Sequence, residues 1–260
     1  MLAPETARAH NRPQTEGEVH RFNRGGVTFH TYVSPDRGLR ATAHVIELKN
    51  KILLIDATFF PETGAEVAEL IKQIGKPVAK AVLSHEHPDH WSGAVAMRDV
   101  PFETLPAIRA DVVQEAGDRI PTNVANSPDL VLGHAEIEGV PIEFRNITHT
   151  ESNNMIVAVL PEQRVVVVQD LVFSGVYFAP GYDRSKWIRD LESFRDDPAF
   201  DTLLLGHGTS SNRGELDVAI QYLKLLTEVM DGPDATPEKA VKAMQDALCD
   251  FKDVFAPITR

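Results

Sequence analysis

The most constraining feature of this 260-residue sequence is a short apolar segment that runs directly into a histidine-rich polar stretch. Residues 78–83 have the length and composition of a buried strand, and residues 84–90 read SHEHPDH. Side chains two residues apart on a loop that leaves a strand can point at one site, and imidazole is the commonest metal ligand. The pattern therefore predicts a metal site in which His85 and His87 share one ion while Asp89 and His90 turn toward a second.

Three more polar residues follow apolar segments elsewhere in the chain. His149 comes after a segment that ends near Arg145, Asp170 ends a run with four consecutive valines, and His207 follows residues 202–205. Gly206 and Gly208 flank His207 and let the backbone turn sharply. Because sites gather at strand ends in layered α/β folds, we expect these three side chains to join the first cluster.

Hydrophobic periodicity predicts strands and helices in both halves of the chain. Lys49 and Asn50 separate two apolar runs, which indicates a hairpin. The predicted strands are residues 41–48, 51–56, 78–83, 140–145, 154–160, 164–169 and 202–205. The predicted helices are residues 61–74, 105–116, 187–195, 214–230 and 237–251, with loops at 121–128 and 174–185. This mixture favours an α/β sandwich, with a flexible polar leader at residues 1–24 and a single domain at residues 25–260.

Composition excludes several classes of protein. The formal net charge of −12 disfavours non-specific nucleic-acid binding, and no apolar run approaches the roughly 18 residues that a membrane span requires. The single cysteine, Cys249, excludes a cysteine metal cluster, so His and carboxylate side chains must hold any metal. The first 24 residues are polar and lack the apolar core of a signal peptide, which predicts a cytoplasmic protein.

The histidine and aspartate pattern resembles that of the metallo-β-lactamase superfamily, over roughly residues 27–208. That family carries His-x-His-x-Asp-His followed by a distant His, an Asp and a His, and all seven positions are filled in this sequence. The resemblance implies an αββα sandwich of two mixed sheets with helices outside. It also implies that His85, His87 and His149 hold one metal. Asp89, His90 and His207 would hold the other, and Asp170 would bridge the two. Zinc is the expected ion, although iron or manganese suits the same ligands.

Two such ions, about 3.5–4 Å apart, can hold a bridging hydroxide at neutral pH, because a bound water is acidified from a pKa of about 15.7 to about 7. The hydroxide attacks an electrophilic carbonyl, one ion polarises the carbonyl oxygen, and the other stabilises the leaving atom. Asp89 is placed to pass a proton to the leaving group.

The substrate is expected to be a lactone or a related small ester. The sequence resembles acyl-homoserine lactonases in its seven ligands and in tyrosines after Asp170, and Tyr177 and Tyr182 are candidates to contact the carbonyl. A glyoxalase II-like thioesterase, a β-lactamase-like amide hydrolase and a persulfide dioxygenase stay open as alternatives. The apolar faces of the C-terminal helices are compatible with a homodimer, although core packing explains them equally well.

Overall fold

The computed structural model describes residues 16–178, 181–232 and 236–247. Within these residues the chain forms two six-stranded sheets that lie face to face. The first sheet contains, in spatial order, β1 (Glu18–Arg24), β2 (Val27–Val33), β3 (Thr42–Glu47), β4 (Ile52–Ile55), β5 (Val78–Val82) and β6 (Phe102–Glu103). The second contains β7 (Gly133–Ile137), β8 (Val140–Thr148), β9 (Asn154–Leu160), β10 (Val165–Gln169), β11 (Thr202–Leu205) and β12 (Ser211–Asn212), also in sequential order.

Both sheets are mixed, as the sequence predicts. The pairs β4–β5, β5–β6 and β10–β11 are parallel, and the other neighbours are antiparallel. The predicted hairpin is confirmed, since β3 pairs with β4 and His44 lies opposite Ile55. Parallel neighbours bring their carboxyl ends to the same edge of a sheet, so β4 and β5 end side by side in the first sheet, as do β10 and β11 in the second.

The described residues also form α-helices, which pack against the sheets or lie at their edges. They are α1 (Pro61–Ile74), α2 (Pro88–Trp91), α3 (Pro106–Ala116), α4 (Thr122–Ala125), α5 (Arg184–Asp196), α6 (Gly214–Met230) and α7 (Pro237–Ala247). The predicted helix at 61–74 is confirmed, and it ends at Gly75, whose φ of 73° suits a glycine. The described part of the last predicted helix is α7, and residues 248–251 of that prediction lie outside the described residues.

The middle of the second sheet is buried on both faces, because β9, β10 and β11 carry apolar residues at nearly every position. Val165 and Val167 on β10 belong to the core between the two sheets. Val166 and Val168 belong to a second core beneath α5 and α6. The alternation follows directly from the two-residue period of a strand. In α6, Ile220, Leu223 and other apolar side chains of the predicted dimer face are buried in this second core.

The structure corrects the predicted leader at residues 1–24. Residues 18–24 form β1, which pairs with β2 along its whole length, and Phe22 stacks on Phe29 with ring centroids 4.9 Å apart. The exposed, polar character of this edge strand hides its strand period. Residues 1–15 of the prediction lie outside the described residues.

Other differences are local. Residues 122–125 of the predicted loop form the short helix α4, and β2, β6, β7 and β12 are strands that the apolar pattern did not mark. Throughout the described part of the chain, every helix is too short or too polar to cross a bilayer.

Candidate metal centre

Four segments that follow strands meet at one edge of the sandwich. The stretch after β5 carries His85 and His87 and enters α2 with Asp89 and His90. Asp170 follows β10 directly, and His207 lies two residues after β11. The turn between β8 and β9 supplies the fourth segment, residues 149–153. The arrangement confirms that these strand ends come together.

The converging side chains form two groups whose ligand atoms lie within 4.8 Å of one another. One group is His85, His87, Glu151 and Asp170, and the other is Asp89, His90 and His207. Asp170 lies between them, since Oδ2 is 3.1 Å from His207 Nε2 and 3.7 Å from His85 Nε2 while Oδ1 is 3.3 Å from His90 Nε2. One carboxylate thus faces both groups, as a bridging ligand would.

The histidine rings are oriented by hydrogen bonds from their second nitrogen. His207 Nδ1 donates to the carbonyl oxygen of Leu39 at 2.7 Å. His90 Nδ1 donates to Asp56 Oδ2 at 2.9 Å, and His85 Nδ1 lies 2.8 Å from Ser84 Oγ. Each bond leaves Nε2 of the ring directed into the cluster, which is the arrangement that metal-bound histidines adopt.

Asp56 positions the residues that surround the cluster. It is fully buried at the end of β4 with a φ of 62°, and its oxygens accept hydrogen bonds from the Ser84 backbone and hydroxyl at 2.8 and 2.6 Å. The Gln169 amide donates to the same carboxylate. Although Asp56 also lies within 4.8 Å of His85 and His90 ligand atoms, its oxygens are already engaged, so it is a positioning residue. The sequence pattern alone does not predict this positioning role of Asp56.

The backbone around Asp170 and His207 is shaped to bring these residues together. The register of β10 against β11 shifts between Val167 and Gln169, and Gln169 has a φ of 45°. This irregularity turns Asp170 into the cluster. A Cβ atom on Gly206 would collide with the Asp170 carboxylate, so glycine is required there for a close approach.

Burial makes the cluster electrostatically unusual. His85 is fully buried, and burial together with the charge of His90 holds the pKa of its imidazole well below the usual value. Burial would raise the pKa of Asp170, but the charges of His207 and His90 hold it well below its usual range. Among the described residues, His85 Nε2, His90 Nε2, Glu151 Oε2 and Asp170 Oδ1 are buried without a hydrogen-bond partner. Buried polar atoms left unpaired are costly, and lone pairs that converge in this way fit a bound cation.

The structure does not bring His149 to the cluster, which corrects the ligand set expected from the sequence. His149 is exposed and has a φ of 55°, a conformation that turns the side chain away from its neighbours in the turn. Glu151, two residues later, is 8% exposed and takes the place beside His85 and His87. The spacing of the family pattern pointed to the histidine. The one sequence feature that indicates Glu151 as a ligand is that it is an acidic residue inside an otherwise neutral turn.

The two candidate tyrosines lie differently. Tyr177 is half-buried and packs against the core beneath α5 and α6. Tyr182 is 57% exposed, and its backbone N–H donates to the carbonyl oxygen of Thr150 at 2.7 Å. Partial burial and the charges of Glu86, Asp111 and Glu151 raise the pKa of the Tyr182 phenol. Tyr182 therefore lies at the rim of the cluster, on the side of Glu151.

Comparison with known proteins agrees with this geometry. The family model of the metallo-β-lactamase superfamily matches residues 36–207, which include all of the converging side chains. A metallo-β-lactamase from Pontibacter korlensis is 20% identical and superposes with a TM-score of 0.66, over 80% of this chain and 99% of that one. FIM-1 from Pseudomonas aeruginosa, solved in a mono-zinc form, is 18% identical with a TM-score of 0.64, over 82% and 98%. An enzyme from Hirschia baltica is 17% identical with a TM-score of 0.62, over 79% and 97%. At these identities the likeness concerns the fold.

Proposed function

The chain belongs to the metallo-β-lactamase superfamily, and from that membership we propose that it is a two-metal hydrolase of a lactone or a similar small ester. The observation that carries the proposal is Asp170. Its two oxygens face two separate groups of ligand atoms, at 3.1 to 3.7 Å from the nearest imidazole nitrogens. Asp170 Oδ2 also accepts a hydrogen bond from His207, whereas Oδ1 is buried and has no hydrogen-bond partner among the described residues.

The side chains present fit divalent cations. The donor set combines imidazole nitrogens with carboxylate oxygens, which suits zinc, iron or manganese. We propose His85, His87 and Asp170 as ligands of the first ion and Asp89, His90, His207 and Asp170 as ligands of the second. Divalent ions bound there would acidify a water molecule and polarise a substrate carbonyl oxygen. The described residues of the cluster include no serine or cysteine placed as a nucleophile, since Ser84 is fully buried and bonded to Asp56.

Asp89 is proposed to move the proton that the leaving group needs. It is the most exposed carboxylate of the cluster at 9%, and its Oδ2 lies 3.3 Å from His207 Nε2. A carboxylate at the open side of the centre reaches both the site and a bound substrate. Tyr182, at the rim, is proposed to contact the substrate carbonyl or acyl group.

The choice of a lactone or ester is based on the carboxylate of Asp170. By the resemblance to the family, many β-lactam hydrolases place a cysteine where this chain has Asp170. The net charge of −12 disfavours nucleic-acid substrates and is compatible with a small neutral ester.

The test is acid release in a pH-stat, with a lactone series, a β-lactam and a glutathione thioester as separate substrates, before and after chelation. We expect chelator-sensitive hydrolysis of lactones, and a loss of at least about 100-fold in turnover for Asp89→Asn. Asp118→Asn changes an exposed aspartate outside the cluster and serves as the matched control. Turnover of the thioester or the β-lactam alone would refute the ester assignment, and chelator-resistant turnover would refute the metal mechanism.

A further inference from the structure

We propose that Glu151, and not His149, completes the first metal site, so that three carboxylates and four imidazoles hold the two ions. The inference rests on the proposed function, because it concerns ligands of the same centre. It departs from the ligand set that the sequence pattern implies, in which His149 fills this position.

The position of the Glu151 carboxylate is the first argument. Oε1 lies 3.0 Å from His87 Nδ1, and Oε2 lies 3.8 Å from His85 Nε2. All three residues, with Asp170, present ligand atoms within 4.8 Å of one another. A single ion at the centre of this group would be within reach of every one of them.

The polar atoms that remain unpaired are the second argument. An ion pair between Glu151 and His87 would engage only Oε1. Oε2 of Glu151 and Nε2 of His85 are both buried and have no hydrogen-bond partner in the described part of the chain. A buried polar atom without a partner destabilises the folded protein. A cation between them accounts for both atoms, whereas a structural ion pair accounts for neither.

The backbone of the turn is the third argument, because it fixes which side chain points inward. The N–H of His149 donates to Asn153 O at 3.1 Å, and its carbonyl accepts from the N–H of Asp183 at 3.2 Å. Thr150 O accepts from the N–H of Tyr182 at 2.7 Å. The turn is thus held on both sides, and bringing His149 into the cluster would require these bonds to break.

The histidine-rich segment holds the same turn from the other direction. Glu86, between the two ligands His85 and His87, is 7% exposed, and its Oε1 accepts from the N–H of Asn153 at 3.3 Å. A residue of the ligand-bearing segment therefore positions the turn that carries Glu151. This contact ties the geometry of the third ligand to that of the first two.

The exchange of an imidazole for a carboxylate changes the chemistry of the site. The centre carries one more negative charge than it would with His149, and its first site has two oxygen and two nitrogen donors. Carboxylate ligands suit manganese and imidazole ligands suit zinc, so this site prefers zinc less strongly than a site with three imidazoles would.

Metal content tests the inference without relying on activity. Wild type, Glu151→Gln and His149→Ala are loaded with Mn²⁺ or Zn²⁺ and dialysed, and ions per chain and dissociation constants are measured by mass spectrometry and calorimetry. We expect two ions in wild type and His149→Ala, and at least a tenfold weaker first site in Glu151→Gln. Glu151→His, which restores an imidazole, is expected to keep two ions and to raise the affinity for Zn²⁺ relative to Mn²⁺. It also gives an answer if Glu151→Gln does not fold.

The outcomes separate the two proposals. Loss of an ion from His149→Ala with full content in Glu151→Gln would overturn this inference and leave the proposed function standing. Equal content in both variants would also overturn it. A wild-type protein that binds no ion at all would overturn the proposed function itself.

Discussion

His44 makes the stability of this protein depend on pH in a way that can be calculated. It lies on β3, is fully buried, and reaches across to the second sheet, where Nε2 is 3.0 Å from both Leu205 O and Gln169 Oε1. Nδ1 lies 3.1 Å from Thr31 Oγ1, which can donate to it. The neutral ring with its proton on Nε2 satisfies these contacts. Because burial disfavours the charged form, the pKa of His44 is lowered from 6.5 to about 4.

The direction of the pH dependence follows from whether the folded or the unfolded chain binds the proton of His44. Between pH 6.5 and 4 the unfolded chain protonates His44 and the folded chain does not, so the free energy of unfolding falls as the pH is lowered. The stabilisation is complete above pH 6.5 and is lost on acidification toward pH 4. At about 1.4 kcal/mol per pKa unit, the loss amounts to about 3 kcal/mol in total, of which about 2 kcal/mol is lost by pH 5.

The assay is urea unfolding of wild type and His44→Gln at pH 7.5 and pH 5, with a chelator present so that metal release affects neither protein. Glutamine keeps a donor and an acceptor but does not titrate. We expect the difference in stability between the two proteins to shift by about 2 kcal/mol in favour of the variant on going to pH 5. Equal pH dependence in both proteins would refute the account of a neutral, buried His44.

Three other changes have defined outcomes. Asp56→Asn should weaken metal binding by about 10- to 100-fold with the fold retained, because Asp56 orients His90. Calorimetric titration measures the metal affinity, and an unchanged affinity would contradict that role. Gly64→Ala should cost about 1–3 kcal/mol in urea unfolding, because a Cβ there would collide with the backbone of Gly93, and exposed Glu69→Ala should not. Removing the metal with a chelator should lower the free energy of unfolding by about 2.7 kcal/mol per site, if the free metal concentration before chelation is 100 times the dissociation constant. An unchanged thermal unfolding temperature would argue against bound ions.

Much of the fold followed from apolar periodicity. β9, β10 and the helix at Pro61–Ile74 were predictable because their apolar patterns are long. β1 was not predictable, because it is an edge strand whose residues are mostly exposed, so apolar and polar residues do not alternate along it. The short strands β6 and β12 have two residues each, which is too few to show any period.

The candidate metal centre could likewise be predicted from the sequence only in part. Six of the seven expected ligand positions converge at the edge of the sandwich where β5, β10 and β11 end. His149 does not, because it lies in a turn, and in a turn the φ angle and local hydrogen bonds decide which side chain points inward. Spacing alone cannot encode that choice. The positioning role of Asp56 likewise depends on contacts among residues 28 to 113 positions apart in the chain.

The most direct test of the two-metal centre is anomalous diffraction from crystals grown with Mn²⁺. The account predicts two anomalous peaks about 3.5–4 Å apart, with Asp170 between them. One peak should lie against His85, His87 and Glu151, and the other against Asp89, His90 and His207. A single peak, or none at the edge where these strands end, would contradict the account.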